Sequence, residues 1–304
     1  MDYADDARSP AIAPDLGRGR DAVRHRPGIR GAEWQLVLPL GLFYLLFLLA
    51  PIGVLAVVSL FKDRTLSELS LIQYATFFSE RLNYVILLDT LRLGLITTAV
   101  CLLLAFPLAL AYHRVGRRLR PLLMFLIILP QLTSAVVRTF AWIVILGREG
   151  IIDRSLLALG LAPAGLLYTT SGVVLALTQI QLPLMTLPLI AGLARIDQRL
   201  LEASQSLGAG AWRTFFKVTL PLTLPAIIAG SLLVFTTSIS AFVTQSIIGG
   251  GRLTYMPKYV YDLAMGAQNW PFAAAAVMVL LSTVLIAVTA FNRVGQASLR
   301  RIEG

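Results

Sequence analysis

The chain has 304 residues, 57% of them hydrophobic and 14% charged, with a mean hydropathy of +0.77. That composition excludes an ordinary soluble domain, in which about 25% of residues are charged, and indicates an integral membrane protein. Two histidines, His25 and His113, and one cysteine, Cys101, exclude a histidine metal cluster, a Ser-His-Asp set and an intrachain disulfide, so no catalytic residue, metal or cofactor is expected.

In chain order, residues 1–33 are rich in Arg, Asp, Pro and Gly and lack an apolar core, which predicts a disordered tail and not a cleavable signal peptide. Six apolar runs follow, near 35–61, 85–112, 121–146, 171–194, 222–247 and 271–292, each long enough, or nearly so, to cross a hydrocarbon core of roughly 20 helical residues. The expectation is an all-α, polytopic protein with six transmembrane helices in one domain, 34–293, and a C-terminal tail, 294–304. The first run contains Pro39 and Pro51 and is expected to be kinked. Between the first two runs, Leu71, Tyr74, Phe77 and Phe78 suggest an interfacial helix on the outer face.

Asp89 and Arg92, three apart near the outer end of the second run, form either a local ion pair or part of a route across the membrane. The basic turn HRVGRRLR at 113–120 anchors topology, with lipid or calmodulin-like binding as the other readings. In the third run, Arg138 lies 17 residues past Pro121, about 26 Å along a straight helix, so it reaches the outer interface beside Trp142 or else lines a polar path with Gln131. The fourth run holds Thr178, Gln179 and Gln181, and the fifth Thr236, Ser240, Thr244 and Gln245. Thr236, Ser240 and Thr244 are four apart and are expected on one helix face, either along a wet path or in interhelical hydrogen bonds. The candidate path residues are therefore Gln131, Arg138, Trp142, Gln181, Thr236, Ser240 and Thr244. The glycines at 249–251 lack a following Lys and read as a hinge, not a phosphate cradle.

The net charge of +10 is explained by its placement. With 113–120, 195–217 and both termini on one side, that side carries 17 Lys and Arg (6 + 4 + 4 + 3) against 7 (3 + 2 + 2) on the other. The positive-inside rule makes the first side, and both termini, cytosolic. No nucleic-acid partner is needed.

The longest interval with a distinct pattern is 197–221. Asp197 can cap a short helix with Leu200, Leu201 and Ala203 along its apolar edge, and Gly208 can end it. A second short helix at 211–218 then carries Trp212, Phe215 and Phe216, before Pro221 and Pro225 start the next run. The spacing is E-A-x4-G-x9-[IV]-x-L-P, from Glu202 and Ala203 through Gly208 and Val218 to Leu220 and Pro221. An ordinary amphipathic surface helix does not require it. This pattern resembles the signature loop of permease subunits of ATP-binding cassette importers, with Ser204 where a second Ala is usual and Val218 where Ile is commoner.

A narrower resemblance, covering about 35–292, is to the spermidine/putrescine-type branch. It rests on RTFAWIVILGREGIIDRSLLALGL at 138–161, with Gly147, Gly150 and Asp153, and on LLYT at 166–169, LPLMTLPL at 182–189, FVTQSIIGGG at 242–251 and NWPFAAA at 269–275. Asp153 stands where that branch more often has Asn, and Gln245 where it often has Pro. The resemblance implies a type I importer permease fold in a bacterial inner membrane. It also implies that Glu202, Ala203, Ser204, Gly208, Leu220 and Pro221 couple to ATP hydrolysis on a partner, so that this chain does no covalent chemistry. The implied partners are a cytosolic cassette ATPase dimer, a second permease subunit in a heterodimer or a second copy of this chain, a periplasmic solute-binding protein and membrane lipid.

A polyamine in a low-dielectric site calls for acidic side chains, yet Asp89 is the only one within the six runs. The expected solute is a polyamine or a related amine, amino acid or phosphonate. An ion-coupled secondary transporter would need intramembrane carboxylates and inverted repeats. A membrane assembly protein would need neither the polar stripe nor the loop.

Overall fold

A computed structural model of the chain describes residues 30–303 except 64 and 66, with side chains over 38–293 of these. The expected disordered tail therefore lies, up to residue 29, outside the described residues. The chain divides into two units, Met1–Ala50 and Pro51–Gly304. The first is the N-terminal part of α1 (Arg30–Val58), with Leu38, Phe43, Phe47 and Leu48 all exposed along it. Helices follow because a bilayer supplies no hydrogen-bond partner for a free backbone group.

In the second unit α2 (Ile72–Ser79) leads into α3 (Arg81–Arg114), the interrupted pair α4 (Arg120–Leu132) and α5 (Ala135–Leu146), and the short α6 (Ile151–Ala158). Next come α7 (Thr170–Leu193), the loop helices α8 (Gln198–Ser206) and α9 (Ala211–Thr214), a π-helical turn Phe215–Thr219, and α10 (Leu220–Leu222). Then α11 (Leu224–Ile239), α12 (Phe242–Gly249), α13 (Met256–Tyr261) and α14 (Trp270–Glu303) complete it. Among the described residues, four helices are long and apolar enough to cross a membrane, or six if each of two bent pairs is one span. The helix of the sixth span continues beyond the expected boundary near 293.

The centre of the second unit is the packing of α3, α7 and α11. Cys101, Ala105 and Ala109 of α3, Met185 and Leu189 of α7 and Val234 of α11 are all fully buried there. Small residues let the backbones approach, since lipid offers no hydrophobic drive between helices. A Cβ at Gly94 would lie 2.8 Å from Ile239 Cγ1 and 3.1 Å from the Phe235 ring. A second cluster joins Phe77 of α2 to Ile86, Met256, Phe272 and Ala276. Thus α2 is only half interfacial: Phe77 is fully buried, while Leu71 and Phe78 stay exposed.

Two expectations of continuous helix fail. The third span breaks after α4, and Arg120–Leu132 meets Ala135–Ala158 at 97°. Thr133 and Ser134 are extended (ψ 143° and 137°) just after Pro130, which cannot donate to the preceding turn. The straight-helix distance that placed Arg138 at the outer interface therefore does not hold. The fifth span is interrupted between α11 and α12 at Ser240 and Ala241, so Thr236, Ser240 and Thr244 do not share one continuous helix face.

Candidate functional site

The loop at 197–221 folds as its residues suggest. The Asp197 carboxylate accepts from the Arg199 amide at 2.9 Å and starts α8. Gly208 ends it at φ +78°, a backbone state that costs an L side chain roughly 1–2 kcal/mol. Glu202, Ala203 and Gly208 are exposed, as is Leu207, and Leu220 and Pro221 are half-buried. Ser204, the departure from the usual Ala, has its hydroxyl 2.9 Å from that of Thr214, and so ties α8 to α9. Trp212 stacks on Phe216 with ring centroids 6.0 Å apart, and Phe215 meets Phe106 of α3 edge-on at 5.3 Å. The loop is thus anchored on α3 while its acidic and apolar edge stays open.

The candidate path residues separate into two kinds. Arg138 is half-buried and donates from Nη1 to Pro130 O at 2.7 Å and from Nη2 to Thr133 O at 3.2 Å. Its guanidinium thus caps carbonyls at the C-terminal end of α4, where the helix dipole favours a cation. Thr244 is buried, with its hydroxyl 3.3 Å from that of Thr139. Trp142 Nε1 donates to Gln179 Oε1 at 3.3 Å, and Gln131 Nε2 to Ile180 O at 2.9 Å, fastening α5 and α4 to α7. Gln181 is buried. Thr236 and Ser240 hydroxyls donate to carbonyls of their own helix, Leu232 O and Thr236 O. Gln131 and Ser240 remain exposed, at the two interruptions.

Sequence reasoning left out two residues of this arrangement from its candidates. Gln245 is buried and donates from Nε2 to Ser238 O at 2.7 Å and Ile239 O at 3.2 Å, capping the end of α11 as Arg138 caps α4. Thr139 supplies the bond to Thr244. Each cap thus has a neighbouring threonine, Thr139 beside Arg138 and Thr244 beside Gln245, and the two threonine hydroxyls are hydrogen-bonded to each other where α5 packs on α12. The one sequence signal was Gln245 in a position where Pro is frequent, since Pro has no amide to donate.

At the other end of the second unit, Asp89 and Arg92 form an ion pair at 3.7 Å, both well exposed, as the local reading expected. They border a cavity of about 340 Å³ with Thr170, Arg252 and Tyr255. Burial pushes the phenols of Tyr255 and Tyr259 above their ordinary value, keeping both neutral, and Tyr259 donates to Asn83 Oδ1. Asp153 is buried and accepts from the Ala164 amide at 2.9 Å, holding the α6–α7 connection.

Residues 101–294 match the family described as binding-protein-dependent transport system inner membrane component. The chain belongs to that family. As such it is a multi-pass inner-membrane subunit of a binding-protein-dependent transporter, a permease and not an enzyme. It is 34% identical over 217 residues to the spermidine/putrescine transport system permease protein PotB of Haemophilus influenzae, covering 71% of this chain and 76% of that one. It is 31% identical over 313 residues to the inner membrane ABC transporter permease protein YdcU of Escherichia coli, covering 93% and 95%. In fold it is similar to a chain from a bacterial alginate ABC transporter in complex with an alginate pentasaccharide-bound periplasmic protein, with a TM-score of 0.69 at 18% identity, covering 88% and 95%. The permease fold of ABC importers is thus shared well beyond the sequence likeness.

Proposed function

We propose that this permease forms the membrane pore of an ATP-driven importer for a small amine of the polyamine class. The observation that carries the substrate class is the likeness to PotB over three quarters of that protein's length. The exposed loop supports the coupling role. Glu202, Ala203 and Gly208 present an open edge to a cassette ATPase, Ser204 ties α8 to α9, and Leu220, next to Pro221, packs against the core of α3, α7 and α11. Closure of an ATPase dimer would press the loops of two permease subunits together and turn the pore outward, where a periplasmic binding protein delivers solute. The companion is a second, different permease subunit in this reading. Both termini and the loop are cytosolic, on the strength of 17 basic residues against 7, and one membrane domain, 34–293, lies between two tails.

Among the path candidates, Gln131 and Ser240 are exposed at the interruptions and are the ones available to a passing solute. Arg138, Trp142, Thr244 and Gln245 each make internal hydrogen bonds and serve as supports. A pore with neutral polar groups and no intramembrane carboxylate but Asp89 binds a polycation weakly, which leaves selection to the binding protein.

The test is a mild-detergent pull-down of the tagged chain, with identification of what accompanies it, ATPase activity of the eluate, and binding of labelled spermidine and putrescine to the associated solute-binding protein. Recovery of a cassette ATPase, a second permease and a polyamine-binding protein is expected. Recovery of the chain alone, without ATPase activity, would shift the reading to an ion-coupled transporter.

A further inference from the structure

The end of the second unit that carries the loop also holds an apolar groove of about 670 Å³, away from the exposed edge of Glu202, Ala203 and Gly208. One wall is α3, from Leu103 and Phe106 to Arg114 at its C-terminal end, and the other is the aromatic face of Trp212 and Phe216. Leu103 is 73% exposed, Trp212 77% and Phe216 56%, so the groove is open along its length.

Its dimensions and charge define the occupant. Leu103 and Arg114 are 11 residues apart on one helix, about 16 Å at ~1.5 Å per residue. That is close to the roughly 15 Å depth of one hydrocarbon leaflet. With 113–120 on the cytosolic side, as the positive-inside reading has it, Arg114 falls at headgroup level and the apolar wall running from it toward Leu103 at acyl-chain depth. Arg114 is exposed and has no carboxylate within 4.0 Å among the described residues. An occupant that is aliphatic along one leaflet and anionic at its end is a phospholipid.

The loop helix keeps this face distinct from its docking face. Trp212 and Phe216 are four apart and line the groove, whereas Arg213 and Lys217, one position further round, border a separate cavity of about 410 Å³ with Leu200, Ala203 and Ser204. We propose that the groove binds one anionic phospholipid, its acyl chain lying between Leu103 and the stacked Trp212 and Phe216 rings and its phosphate on the Arg114 guanidinium. The lipid then seats the loop helix from its membrane side, and the affinity of the loop for its ATPase depends on lipid charge. The site rests on the groove, on Arg114 and on the cytosolic placement of 113–120 proposed above, and this last consequence rests on the coupling reading as well.

The probe is the fluorescence of Trp212, taken as the difference between the parent chain and Trp212→Phe. The chain is reconstituted with its co-purified partners in nanodiscs containing brominated phosphatidylglycerol or, separately, brominated phosphatidylcholine. At equal mole fraction, phosphatidylglycerol is expected to quench Trp212 with about fivefold greater apparent affinity, the gain of one basic residue at an anionic headgroup. Arg114→Gln removes that preference and leaves quenching by phosphatidylcholine unchanged. Arg114→Lys, which keeps the charge, and Arg117→Gln, in the neighbouring turn, retain it. Equal quenching by the two lipids would overturn the proposal. So would quenching seen in the isolated chain but lost in the assembled complex, which would make the groove a protein interface. Failure of the coupling reading is a separate outcome, seen as absence of the ATPase from the purified complex.

Discussion

Replacing Arg138 with Met keeps most of the side-chain volume and removes both bonds to the end of α4. Pro130 O would retain the Thr133 hydroxyl at 2.8 Å as a donor, so its loss is near the ~0.6 kcal/mol average for bonds between membrane helices. Thr133 O loses the guanidinium, a charged donor of the kind that contributes ~1.5–3 kcal/mol. The cation at the helix C-terminus adds ~0.3–1 kcal/mol. The sum is about 3 kcal/mol. Removal of Nε, which is buried without a partner, offsets about 1 kcal/mol of this, so the net loss is about 2 kcal/mol, or a fall of about 4–8 °C in Tm at roughly 2–4 °C per kcal/mol for a domain this large. Cys101 is the single cysteine and is fully buried, so a thiol-reactive fluorophore reads the melt directly on the isolated chain. Arg138→Lys should fall between the two, because an ammonium lacks the fork that reaches both carbonyls. A melt of Arg138→Met within 2 °C of the parent, with solute uptake nonetheless lost, would refute the capping role and return Arg138 to the transport path.

Gln245→Leu removes two donors from Ser238 O and Ile239 O but also an Oε1 that is buried without a partner, so a smaller loss of about 1 kcal/mol, or 2–4 °C in the same melt, is expected. A double-mutant cycle of Ser204→Ala and Thr214→Val should give a coupling energy of about 0.5–1.5 kcal/mol, and additive single effects would show that the two hydroxyls do not join α8 to α9. Glu202→Lys and Gly208→Pro should each reduce co-purification of the ATPase while leaving membrane insertion intact; normal co-purification of both would remove the docking role from the loop. Gly94→Val overpacks Phe235 and Ile239 and should cost about 1–3 kcal/mol, seen as lower yield of folded protein, whereas Gly116→Ala, with nothing within 4 Å of the new methyl, should not.

What the sequence disclosed follows what each residue does alone or with near neighbours. Apolar length gave the spans, Asp197 and Gly208 marked the ends of α8, and the three-residue spacing of Asp89 and Arg92 gave their ion pair. The interruptions were hidden for physical reasons. Pro130 is tolerated inside membrane helices, so by itself it announces no break, and Ser240 is only a weak turn former followed by Ala241, which favours helix. Arg138 was placed by counting along a helix that in fact ends at Leu132, and the even spacing of Thr236, Ser240 and Thr244 implied one face for the same mistaken reason. The capping by Gln245 and the bond from Thr139 depend on partners brought near by folding. No local pattern encodes them.

The hydrogen bond between Thr139 and Thr244 joins positions 105 residues apart, each one step from a cap and just beyond an interruption. A bond between two jointed rods just beyond their joints opposes the flexing of either one alone, by about 0.5–1.5 kcal/mol. Straightening the fifth span through Ser240 would pull on the third at Thr133, and stiffening the third would hold the fifth. A change that loosens either joint is therefore best compensated by a change at the other, and revertants of an inactive variant at one should be sought first across the pin.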